Sequence, residues 1–111
     1  MADCIFCAIG AKRIPSEIVH EDPEVVAFTD THPMAPFHVL VISKRHLASL
    51  AEADAALAGK LAATAARVAA DAGFAQRGYR VVTNVGADGG QTVGHLHLHV
   101  LAGRRFSWPP G

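Results

Sequence analysis

The chain has 111 residues, with 10 Lys plus Arg against 10 Asp plus Glu, 50% hydrophobic residues and 6% aromatic, the profile of one globular domain spanning 1–111. A core of that size is thin, so a ligand site is expected at the surface or at a subunit contact. Zero formal net charge provides no field for a nucleic acid polymer or a membrane surface, and no run approaches the roughly 20 apolar residues that span a bilayer.

The opening Met1-Ala2-Asp3-Cys4 lacks the basic and apolar regions of a signal peptide, so a cytoplasmic location is expected. Asp3 is a fair N-cap and Gly10 a fair C′ residue, predicting a short helix over 4–9 that Ile14-Pro15 cannot prolong. β-branched and aromatic runs predict strands over 25–28 and 37–42, separated by the turn-rich segment 30–36. The Ala-rich stretch 54–72 places Leu57, Leu61, Ala65, Val68 and Ala72 at helical spacing, with Gly73 as its stop. Strands are predicted over 79–84 and 95–102, with a glycine-rich turn over 86–90 between them. Hairpins on one side of a helix make an antiparallel α+β domain, without internal repeat or linker.

Seven histidines are the compositional anomaly. In His95-Leu96-His97-Leu98-His99-Val100-Leu101, strand alternation turns the histidines to one face and the apolar residues to the core. Alternate residues are about 6.6–6.8 Å apart, so neighbouring rings can share one substrate or one metal. A row of solvated surface histidines is the bland alternative. A zinc hydrolase, with neutral imidazoles around an open position, is the metal reading. Upstream, Asn84-Val85-Gly86-Ala87-Asp88-Gly89-Gly90-Gln91-Thr92 offers backbone amides and uncharged donors, which suit phosphate better than a cation. That favours histidine as nucleophile.

The alternating histidine motif resembles that of the histidine triad (HIT) family, and within it the Hint branch of nucleotide-binding phosphoramidases. The likeness extends to Phe28-Thr29-Asp30, Ala35-Pro36-Phe37-His38-Val39-Leu40-Val41-Ile42, Gly78-Tyr79-Arg80, Gly89-Gly90-Gln91-Thr92 and Trp108-Pro109-Pro110-Gly111. It implies a sheet of about five strands, one long and one short helix, and a homodimer joined through the 54–72 helix and neighbouring strand edges, with the sheet extended across it and Trp108 approaching the partner's site. It further implies that His97 attacks the α-phosphorus of a purine nucleoside phosphoramidate, expelling an amine, and that water then hydrolyses the nucleotidyl-histidine to nucleoside monophosphate. His99 would hold a nonbridging oxygen and His38 would orient it. By the same resemblance Asn84 and Gln91 contact ribose and phosphate, Gly90 belongs to the nucleotide-binding loop and Thr92 touches the leaving group. Asp30 would accept the ribose hydroxyls, and Ile5, Phe6, Ile9, Phe28 and Leu40 would surround the base, although the apolar residues serve equally as core. Thr92 stands where the family usually has serine, Thr31 where it has an aliphatic residue, and Gly94 where an aromatic is common.

Cys4-x-x-Cys7 is ligand spacing for tetrahedral zinc, but two further donors are needed; the alternatives are a reduced pair or a redox motif. The resemblance nominates His46 and His95, closing a structural site that clips the N-terminal helix to the sheet. Catalysis itself would need no cofactor. His20 and His32 match nothing and read as loop or edge residues, while Lys44 and Arg45 read as an exposed basic turn. A dinucleoside polyphosphate hydrolase, a nucleotidyl transferase and a nucleotide-sensing interaction module remain as other readings of the same residues.

Overall fold

The computed structural model describes residues 4–111 and places five strands and two α-helices. The first helix, α1 (Ile5–Gly10), is capped by Cys4, whose sulfur accepts from the Cys7 amide. The proposed Asp3 cap lies outside the described residues. Gly10 is the last helical residue rather than the one beyond it, and the left-handed residue that follows is Lys12, at φ 61°.

Strands β1 (Ile18–Glu21), β2 (Val25–Thr29), β3 (Phe37–Ser43), β4 (Arg80–Val82) and β5 (His97–Ala102) form one antiparallel sheet in the order β1-β2-β3-β5-β4. This is the α+β, five-stranded architecture expected. Three strands depart most from the sequence reading. No strand is predicted where β1 lies, because an edge strand exposed on both sides carries no alternation to detect. β4 is shorter, and β5 begins at His97, leaving His95 in the bend before it.

The long helix α2 (Ala55–Asp71) starts at Asp54, whose carboxylate accepts from the Leu57 amide at 2.8 Å. It ends in a paired closure: Gly73 donates to the Ala70 carbonyl and Phe74 to Ala69, with Gly73 at φ 93°. Only glycine adopts that conformation without cost, which is why the helix stops there. The buried stripe is Leu61, Thr64, Ala65, Val68 and Ala69, whereas Ala72 is exposed. Thr64 is tolerated inside because its hydroxyl donates to the Lys60 carbonyl.

Strand alternation divides the sheet between two cores. Val25, Ala27, Val39, Val41, Leu98 and Val100 face α2. Val26, Phe28, Leu40 and Ile42 face the other way, under Phe6 and Ile9 of α1. Each fully buried aliphatic side chain contributes about 1.5–3 kcal/mol relative to exposure, so the α2 side holds the fold together and the α1 side is free to carry chemistry. No helix of the described residues is long and apolar enough to cross a membrane.

Candidate active site

Residues that pair across neighbouring strands share a face. Leu40 is opposite His99 and Ile42 opposite His97, so β5 delivers its histidines to the α1 side while Leu96, Leu98 and Val100 are buried. His97 Nδ1 lies 2.6 Å from the His95 carbonyl oxygen. A carbonyl only accepts, so Nδ1 carries the proton and Nε2 keeps its lone pair. The Phe6 ring meets His97 edge-on at 5.2 Å and His99 lies 5.0 Å away, fixing the plane of the imidazole. Thr83 donates to the His97 carbonyl, steadying the start of the strand.

His38 is held in the opposite tautomer. The Met34 amide donates to its Nδ1 at 3.0 Å, so the proton sits on Nε2, 2.9 Å from His99 Nδ1 and 3.4 Å from an Asp30 oxygen. His99 therefore accepts at Nδ1 and carries its own proton on Nε2. Asp30, His38 and His99 bring potential metal ligands close together, but His38 presents a donor there and not a lone pair. Burial, outweighing the Asp30 carboxylate, holds His38 below its ordinary pKa. Burial together with the His97 and His38 charges lowers His99 to about 4, against the pull of Asp30. Both rings are thus neutral at physiological pH.

His95 points away from this row. Its ring is fully buried, and Nε2 donates to the Ser43 carbonyl at 2.7 Å, leaving the Nδ1 lone pair toward Cys4, Cys7 and His46. Cys4 Sγ is 3.2 Å and Cys7 Sγ 3.5 Å from that nitrogen. His46 Nδ1 is 3.2 Å from His95 Nδ1 and 3.3 Å from Cys7 Sγ. Bonds of about 2.3 Å to sulfur and 2.0–2.1 Å to nitrogen give a tetrahedron with S···N edges near ~3.5 Å and N···N edges near ~3.3 Å. The four residues fit zinc on donor type and on spacing. Desolvation, together with the Cys4 sulfur, pushes the Cys7 thiol up, so a thiolate pair here calls for a cation.

A cleft of about 360 Å³ opens beside the triad, within the size range of small-ligand pockets. Of the residues nominated from sequence, Ile5, Phe6, Ile9, Phe28 and Leu40 line it, as do Asp30, Thr92, His97 and His99. His38 stands behind His99. The Gln91 side chain does not line the cleft: it accepts from the Gly86 amide and donates to the Ala48 and Val93 carbonyls, pinning the glycine-rich turn. Gly90 lies in that turn at φ 77°. Asn84 is half-buried outside the lining, and Trp108, 82% exposed, is away from it. Sequence reasoning missed Ile14, Pro15, Ser16, Thr31, His32 and Val93. Thr31 and His32 directly follow Asp30, and that adjacency was the available signal.

The HIT domain family matches residues 11–106. The chain belongs to the HIT family. It is 50% identical to an uncharacterised HIT-like protein of Synechococcus elongatus, over 98% of this chain and 97% of that one. It is 45% identical to the 14 kDa zinc-binding protein of Zea mays, over 96% of this chain and 87% of that one. Among solved structures, a HIT family hydrolase from Legionella pneumophila superposes with TM-score 0.94 at 41% identity, covering 98% of this chain and 100% of that one. A histidine triad protein from Clostridium difficile superposes at 0.92 with 43% identity, covering 96% of each.

The depressed histidines set an acid limit on stability. For His99 the folded pKa, about 4, lies below the ordinary 6.5, so between these values the unfolded chain binds more protons. The stability that comes from keeping the ring neutral is complete above 6.5 and is lost as pH falls toward 4. Urea unfolding is expected to show a less stable protein at about pH 5 than at about pH 7.5, with a smaller loss in His99→Gln. Equal losses in both proteins would contradict the assignment.

Proposed function

We propose that this HIT protein is a nucleoside phosphoramidase of the Hint kind, cleaving the P–N bond of purine nucleoside 5′-phosphoramidates. The observation that carries the reading is the 2.6 Å bond from His97 Nδ1 to the His95 carbonyl, which leaves an Nε2 lone pair on a residue lining the cleft. In the first step Nε2 forms a bond to the α-phosphorus as the P–N bond to the amine breaks, and the leaving nitrogen takes a proton from solvent as it departs. The nucleotidyl-imidazole is cationic, and the His95 carbonyl faces the nitrogen that shares that charge. Neutral His38 and His99 add no competing cation. His99 Nε2–H donates to a nonbridging oxygen, and His38 sets its tautomer. Water then breaks the new P–N bond, releasing nucleoside monophosphate and free His97.

The remaining roles follow position. Asp30, which has lone pairs beyond those engaged by the His32 amide and His38, accepts the ribose hydroxyls. Ile5, Phe6, Ile9, Phe28 and Leu40 enclose the base, and Thr92 faces the leaving group. Gln91 acts by holding the Asn84–Gly90 turn against the phosphate. The chain pairs with a second copy along β4, the sheet edge that bears exposed Val81, with Trp108 reaching the partner's cleft.

Cys4, Cys7, His46 and His95 hold a structural zinc, as the spacing of their ligand atoms and the zinc-binding maize relative support. The ion would supply a cross-link between α1 and the segments around β3 and β5. Free thiolate ligands of this kind suit a reducing, cytoplasmic compartment.

His97→Ala is expected to lower kcat/KM for adenosine 5′-phosphoramidate by at least about 1,000-fold, on the scale of losing a nucleophile, while AMP binding and fold persist. Early quenching should trap an adenylyl adduct by intact mass in wild type alone. Full residual turnover in the variant would refute the nucleophile, and AMP binding without any wild-type turnover would favour a sensing module.

Native mass spectrometry of untagged protein reads the other two proposals together. A dimer with one zinc per chain is expected, and Cys4→Ser with Cys7→Ser should be metal-free. A monomer would contradict the pairing, and equal zinc in wild type and variant would contradict the site.

A further inference from the structure

His32 lines the cleft yet has no part in the chemistry above. It lies in the loop between β2 and β3, and β2 is two strands from β5, about 10 Å across the sheet. It therefore lines the cleft from the β2 side, across the sheet from the strand that carries His97. The rest of the lining is largely apolar: Phe6, Ile9 and Phe28 can hold any flat ring but cannot tell one base from another.

The side chain is prepared for a polar contact. Its backbone amide donates to Asp30 Oδ1 at 2.9 Å, and its Nδ1 lies 3.1 Å from the Thr31 hydroxyl. The first bond fixes the loop to the residue beside the triad, and the second fixes the ring. Nε2 has no partner among the described residues, and the residue is exposed. Because a hydroxyl can donate or accept, Nε2 can present either role to a ligand.

We infer that His32 is a specificity-determining residue, whose Nε2 hydrogen-bonds the outer edge of a purine base held in the cleft. A purine reaches farther from the ribose than a pyrimidine does, so such a contact favours the purine. The inference deepens the phosphoramidase reading and rests on its nucleotide orientation, with the base away from His97.

The test compares wild type, His32→Ala and His32→Gln on adenosine 5′-phosphoramidate, uridine 5′-phosphoramidate and the base-free ribose 5-phosphoramidate. His32→Ala keeps the backbone bond to Asp30. It should reduce the adenine-to-uracil ratio of kcat/KM by about tenfold, the value of one hydrogen bond, through KM rather than kcat. Gln should restore part of the ratio, and the base-free substrate should be unaffected. An unchanged ratio, or an equal loss on the base-free substrate, overturns the role. Calorimetry with AMP and UMP keeps this separate from the reaction: if wild type binds AMP but hydrolyses nothing, the phosphoramidase reading fails. In that case a lower AMP-to-UMP affinity ratio in His32→Ala still supports His32 as the base reader, and an unchanged ratio overturns it.

Discussion

The structure turns on where four imidazoles keep their protons, and in the decisive cases a backbone group makes the choice. The His95 carbonyl takes the Nδ1 proton of His97, the Met34 amide occupies Nδ1 of His38, and the Ser43 carbonyl takes the Nε2 proton of His95. The His99 tautomer then follows from His38. Backbone groups do not titrate, so the pattern is independent of pH across the range in which the rings stay neutral. One sequence motif thereby presents three different groups: a bare Nε2 on His97, an Nε2–H donor on His99 and a bare Nδ1 on His95 beside two cysteines.

His95 joins the two halves of the account. Its carbonyl orients the His97 ring while its own ring completes the Cys4, Cys7 and His46 cluster. Its position ahead of β5 makes this possible, since a residue inside the ladder would have its carbonyl committed to strand pairing or set by the ladder's own geometry. Phe6, lying between the two cysteines in sequence, packs edge-on against both His95 and His97. Anchoring α1 through its cysteines would thus fix one wall of the cleft and the plane of the reacting ring together.

Much of this was legible in the residues. The Asp54 cap, the Gly73 stop and the apolar spacing located α2, and the alternation in 95–101 told which histidines share a face. The structure brings His38, His97 and His99 together, and likewise Cys4, Cys7, His46 and His95. What escaped was set by tertiary context. β1 is an exposed edge with no periodic signal, and the bend at His95 interrupts a pattern that reads as continuous strand. Gln91 is chemically suited to phosphate, but three backbone partners from separate segments engage its amide. His32 lines the cleft from a turn-rich loop whose path no local pattern records.

The central claim is the assignment of protons, and long-range ¹H–¹⁵N correlation spectroscopy of the histidine rings near neutral pH reads it directly. The account predicts Nδ1–H with a bare Nε2 for His97, and the reverse, a bare Nδ1 with Nε2–H, for His38 and His99. A His97 ring protonated mainly on Nε2 would leave no lone pair toward the cleft and would contradict the mechanism at its first step.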